Sequence, residues 1–217
     1  MATRILFQGK KAIGVEFDQK GVRRQVRVRK EVILSAGAIQ SPQLLECSGV
    51  GQADRLQSLG IPVVHHLPGV GENLQDNLQF RLLFRCKKHI TTNDDLRSPL
   101  RTMKMGLQWL FTGSGHLGVG INQGGLFTKV LPSSIDSSNR PDIQFHFATL
   151  SADMAGAKPH PFPGFTFSVC QLRPYSRGSV HSVSDDAHER PSMKANYLTH
   201  PIDRQCAIAS VRYARQL

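Results

Sequence analysis

The sequence predicts an α/β segment followed by an antiparallel, strand-rich α+β segment, with the change of character near residue 77. Three patterns carry this. Short alternating runs separated by Gly9-Lys10-Lys11 and by Asp18 to Gly21 open the chain as strand, turn, strand, turn and third strand. The third run, Val22 to Leu34, ends in the continuously apolar Val32-Ile33-Leu34, as a strand buried on both faces of an α/β sheet would. Beyond residue 77, strand patterns recur between loops rich in Pro, Ser and Gly.

Each element follows from local chemistry. Residues 3–8 and 12–17 make the opening hairpin. Ser35-Ala36-Gly37-Ala38 turns the chain, Ser41-Pro42 starts a helix because proline is tolerated in a first turn, and Ser48-Gly49-Val50-Gly51 ends it. Ala53 to Leu59 is a second short helix stopped by Gly60, Ile61 to Val64 a strand, Pro68 to Gly71 a loop and Leu78 to Lys87 a strand. Residues 88–98 read as a polar loop. Ser98-Pro99 opens a helix to about Phe111, with Leu100, Met103, Leu107, Leu110 and Phe111 on one stripe. After a glycine-rich stretch come strands at 126–130, 142–148, 166–172 and 179–184. Pro201 opens a last helix with Ala207, Ile208, Val211 and Ala214 at helical spacing.

Composition narrows the function classes. No apolar run has the length of a membrane span, and the first residues lack the apolar core and cleavage site of a signal peptide. Cys47, Cys86, Cys170 and Cys206 lie far apart without a CxxC pair, the usage of reduced thiols in a cytoplasmic protein. The histidines lack ligand spacing, and His65-His66, adjacent in a strand, face opposite sides; no metal site is expected. The net charge of +11 is concentrated in the first thirty residues, where cations alternate with Val22, Val26 and Val28. That alternation reads as the wet face of a half-buried strand. No aromatic residues are interleaved for base stacking, so no nucleic acid partner is expected.

Two glycine patterns differ in context. Gly113 to Gly118 matches GxGxxG, yet it follows a helix and leads into more glycine, so it is a loop rather than a dinucleotide fingerprint. In VILSAGAIQSPQLLECSGVG a buried strand ends in small residues with a helix N-terminus just behind. That arrangement suits a nucleotide phosphate or ribose, and also suits plain packing.

The run GAIQSPQLLECSGVG, Gly37 to Gly51, resembles the second signature of the glucose–methanol–choline (GMC) oxidoreductases, in their choline dehydrogenase and alcohol dehydrogenase branch. RILFQGKKAIGVEF, LPGVGENLQDNLQ, GLQWLFTGSG, RPDIQFHF, LRPYSRGSV and KANYLTHPIDR are similar to further segments of that family in the same order, so the resemblance covers essentially the whole chain. It implies FAD as cofactor, a doubly wound FAD-binding domain represented by residues 1–77, and a substrate-binding domain from 78 to 217. It implies oxidation of a primary alcohol by hydride transfer to the flavin with help from a histidine base. The small-molecule alcohol would be the partner, in a cytoplasmic protein for which the family allows peripheral attachment to the inner membrane.

The resemblance also assigns residues. Ser35, Ala36, Gly37 and Ala38 are expected at the flavin-contacting wall, and Asn122 and Gln123 in the substrate-pocket wall. Gln123 stands where choline-oxidising members carry a glutamate, which favours a neutral alcohol over choline, and Asn77 stands where many relatives have histidine. The fingerprint and the catalytic histidine have no counterpart among these residues, so no catalytic residue is assigned. His116, His146, His181 and His200 are read as packing or surface histidines. The chain is accordingly expected to be an internal piece, truncated in its last helix and inactive alone, with a split enzyme completed by separately encoded segments as one reading. The alternative is a non-catalytic remnant, or a basic module binding anions or nucleic acid through residues 20–30.

Overall fold

The computed structural model describes residues 1–154 and 156–217. Along the chain lie β1 (Ala2–Gln8), β2 (Lys11–Gln19), β3 (Val22–Arg27), α1 (Gly37–Cys47), β4 (Val50–Gly51), α2 (Ala53–Ser58), β5 (His65–His66), β6 (Glu72–Leu74) and β7 (Gln79–Arg85). They are followed by α3 (Thr92–Arg97), α4 (Pro99–Thr112), β8 (Asn122–Thr128), β9 (Ile143–Ala148), β10 (Gly164–Gln171), β11 (Gly178–His181), β12 (Ser192–Lys194) and α5 (Pro201–Ala214). The architecture is mixed α/β, as expected, with helices set against several antiparallel sheets. Contacts divide the chain into two units, Met1–Asp76 with Ser176–Tyr197, and Asn77–Tyr175 with Leu198–Leu217. The first crossing lies between Asp76 and Asn77, and a returning segment, Ser176–Tyr197, rejoins the first unit.

In the first unit β1, β2 and β3 form an antiparallel meander in which Gln8 pairs with Lys11 across the first turn and Gln19 with Val22 across the second. Turn residues and alternation sufficed to specify it, because every partner is local. The cationic side of β3 is exposed as expected, but so are Val22 and Val26, so the strand is an open edge rather than a half-buried one. Its continuation differs more. Val32, Ile33 and Leu34 form no strand, and Ile33 is 80% exposed. A strand buried on both faces exists only through neighbours that pair with it and layers that cover it. No described residues provide either for this run.

α1 begins at Gly37, ahead of the expected start at Ser41-Pro42, and carries Pro42 inside. The proline removes the bond to the Ala38 carbonyl but holds φ at a helical value, so the helix passes through it. At its other end the Ser48 hydroxyl accepts the Ile5 amide and donates to the Leu44 carbonyl, fastening helix to β1. Gly49 then takes φ +86°, where a Cβ would collide with the Pro62 carbonyl, so the signature's glycine is required by close backbone approach. Residues 61–64 are not the expected strand. Pro62 offers no donor, and pairing starts only at His65–His66, parallel to β4. The returning segment supplies β11 and β12, which with β6 make a second small antiparallel sheet.

The second unit is built on an antiparallel sheet of order β7-β10-β9-β8. In-register neighbours Phe84 and Phe165, and Phe147 and Phe167, bring aromatic rings together on one face, with Phe84 stacked on Phe165 at 5.1 Å between centroids. Ile143, Phe145 and Val169 are covered by Cys206 and Ala214 of α5, with Leu131, Ile202 and Tyr213 around them. The buried line of α5 is Asp203, Cys206, Ser210 and Ala214; Ile208, expected on it, is exposed. The polar loop at 88–98 contains α3, whose start is a capping box between Thr91 and Asp94. α4 is where expected, capped by Ser98 and closed by Gly113 in the left-handed conformation. Its apolar stripe faces outward, with Leu100 74% and Phe111 79% exposed, while the buried residue is Met105. No helix among the described residues is long and apolar enough to cross a membrane.

Candidate functional site

The small residues assigned to a cofactor wall lie together in the first unit. Ser35 lies just ahead of the helix, Ala36 is the N-cap of α1, and Gly37 and Ala38 are its first residues, all exposed. Among the described residues no side chain caps this helix, and no acidic residue stands in its first turn. Its leading N–H groups and the positive end of its dipole therefore remain available to an anion or polar ligand. Ala38 borders a cleft of about 650 Å³ shared with Ser41, Pro42, Leu45 and the segment Gly69–Gln75. Ala36 borders a smaller hollow of about 190 Å³ with Met1, Ala2, Gln40 and Gln43. Ser35 and Gly37 line neither.

Behind that cleft lies a charged cluster whose members are remote in sequence. Glu46 of α1 is fully buried. One carboxylate oxygen accepts the Ser182 amide at 2.6 Å, and the other lies 2.8 Å from His181 Nδ1. His181 Nε2 lies 2.8 Å from Glu72 Oε1 on β6, at the cleft wall. Arg55 of α2 places its Nε 4.0 Å from Glu46. The neighbouring Cys47 thiol is pushed up by burial, so it is a poor nucleophile here. His181, read from sequence as packing or surface, is thus bracketed by two carboxylates. No spacing rule would have found it, because residues 46, 72 and 181 meet only after the returning segment pairs with β6.

In the second unit Asn122 and Gln123 open β8, an edge strand, and both are exposed. The Gln123 amide lies 3.2 Å from His116 Nδ1, and His116 Nε2 lies 3.7 Å from Asp95, which also meets Arg101 at 3.4 Å. His146 lies on β9, and His200 caps α5 and stacks on Tyr175. Among the described residues no group of His, Cys, Asp and Glu could hold a metal ion.

Comparison with known proteins places this arrangement. The chain superposes on formate oxidase from Aspergillus oryzae with a TM-score of 0.88 at 21% identity, covering 98% of this chain and 41% of that one. For an FAD-dependent oxidoreductase from Chaetomium thermophilum the values are 0.83 and 23%, covering 99% and 43%. At these identities the likeness establishes the fold. Residues 1–79 match the family model described as GMC oxidoreductase. Oxygen-dependent choline dehydrogenase of Chromohalobacter salexigens is 39% identical over 214 residues, 98% of this chain and 37% of that protein. The enzyme of the same description from Pectobacterium carotovorum is 40% identical over 217 residues, 100% and 38%. The chain is similar to the GMC oxidoreductases, and it spans about 38% of the length of the curated relatives it matches.

Proposed function

We propose that the chain contributes to an FAD-dependent oxidoreductase acting on the CH–OH group of a primary alcohol, of the choline dehydrogenase-like type. The observation that carries this reading is identity of 38–40% to choline dehydrogenases along essentially the entire chain. In this reading the first unit is the flavin-side part and the second the substrate-side part. The open N-terminus of α1, with Ser35, Ala36, Gly37 and Ala38, would hold polar groups of the dinucleotide by backbone N–H and dipole. The chemistry supplied by a bound flavin would be that of hydride acceptor for the alcohol carbon. Asn122 and Gln123 offer neutral amides to the substrate. An amide does not offset a desolvated quaternary ammonium as a carboxylate would, which favours a neutral alcohol.

No residue of the chain is assigned as the base that takes the hydroxyl proton, so these residues bind and orient and do not complete the chemistry. Equilibrium dialysis of the purified chain against FAD tests this, beside Ala38→Asp, which places an anion at the proposed wall. Weak binding, reduced in the variant, is the expected outcome, with no alcohol-dependent dye reduction. FAD uptake identical in both proteins would refute the assigned wall, and alcohol oxidation by the chain alone would refute the division of labour.

A further inference from the structure

The bracketed histidine carries an inference that goes beyond this reading and stands without it. A neutral imidazole has a single N–H. Both ring nitrogens of His181 face carboxylate oxygens at 2.8 Å, and the second oxygen of Glu46 already accepts the Ser182 amide. A bare nitrogen in either position would set a lone pair against an anion. We propose that His181 is an imidazolium clamp whose second proton latches the Gly69–Leu74 segment, the wall of the cleft, to α1.

The two contacts differ in what holds them. Glu46 is fully buried, keeps the Ser182 amide, and has Arg55 at 4.0 Å, so its charge is met by α2 and by the backbone just past β11 as well as by His181. Glu72 has a side chain 52% exposed, and water can take over its oxygens. The remaining strand beside His181, β12, places Ser192 in register with it and Lys194 opposite Ser179. When the ring loses a proton it therefore keeps the donor to Glu46 and releases Glu72. The wall is shaped for this contact. Gly71 has φ +82°, and a Cβ there would collide with both the His181 ring and the Val180 carbonyl. Its own carbonyl accepts the Val180 amide at 2.7 Å. Loss of the clamp frees the segment that forms the cleft with Ala38 and Ser41.

The test uses the full chain. Side-chain ¹⁵N NMR reads the protonation of the His181 ring across a pH series, while amide exchange reads Glu72 and Val180, with Leu44 to Ser48 of α1 as reference. Both amides should be protected while both ring nitrogens carry protons. They should lose about tenfold or more of that protection once the ring is a single tautomer, the scale of a hydrogen bond to a charged group. In Glu72→Gln the carboxamide can donate to a bare nitrogen, and protection should become insensitive to the ring's proton. A single tautomer in the protected state would overturn the proposal. So would an unchanged pH response in Glu72→Gln, or loss of protection in α1 at the same pH.

Discussion

Replacing Asn93 with alanine should be among the most destabilising single changes in the second unit. The side chain is fully buried on α3. Its carbonyl accepts the Ser151 amide at 3.0 Å, and its amide nitrogen lies 2.9–3.2 Å from the Ser151 hydroxyl and the carbonyls of Ser151, His160 and Phe162. Two hydrogens shared among those acceptors, plus the accepted bond, amount to roughly three bonds at about 1 kcal/mol each. The buried Ser151 N–H left without a partner adds about 1–3 kcal/mol. A loss of about 4 kcal/mol follows, a fall in the melting midpoint of about 10 °C or more. Trp109, the single tryptophan, lies on α4 of the same unit and makes urea or thermal unfolding readable by fluorescence. Asn93→Asp retains the acceptor but turns a carboxylate toward the carbonyls, and should be no better tolerated. A loss under about 1 kcal/mol for alanine, or an aspartate variant as stable as wild type, would refute the reasoning.

Two further outcomes follow from titratable groups. Burial works to raise the Asp94 carboxyl, but hydrogen bonds from His89 and Thr91 outweigh it and leave the group below its ordinary value. A depressed folded-state value means the stabilisation is present above the unfolded carboxyl's range and is lost as pH falls through the folded one. Acid unfolding monitored at Trp109 should therefore lose part of its pH dependence in Asp94→Asn, and an unchanged acid limb would count against the capping box. Burial, followed by Asp142 and Asp203, pushes the Cys206 thiol up to about 12. In a disulfide-exchange assay at mildly alkaline pH, the partly exposed Cys86 should react first and Cys206 only on unfolding; comparable rates in the native protein would contradict the packing of α5.

What was legible in the sequence was local. The opening meander, the Ser98-Pro99 start of α4 and the Pro201 start of α5 all depend on residues within a turn of one another, and all stand where expected. Thr91 and Asp94 spelled the cap of α3, but a helix of this length inside a polar stretch has no apolar period to announce it. Apolar runs misled where burial needs partners, since Val32 to Leu34 and the outer stripe of α4 have the composition of a core without the neighbours of one. The turn from Ser35 to Ala38 is marked in the sequence by its small residues ahead of a helix start and by family resemblance. Glu46, Glu72 and His181 are not, because their meaning depends on β6 and β11 pairing across more than a hundred residues of chain.

The returning segment has a consequence for the order of events at the ribosome. Ser176–Tyr197 belongs with Met1–Asp76, while the residues that follow it, Leu198–Leu217, belong with the stretch before it. Neither unit is contiguous, so neither can be finished as soon as its first portion emerges. The first must wait for β11 with an incomplete sheet, and the second must wait for α5 with its aromatic face uncovered. Closing such long loops adds little entropy beyond that of shorter ones. The burden is one of time: both partial structures must survive together until nearly the last of these residues has been made.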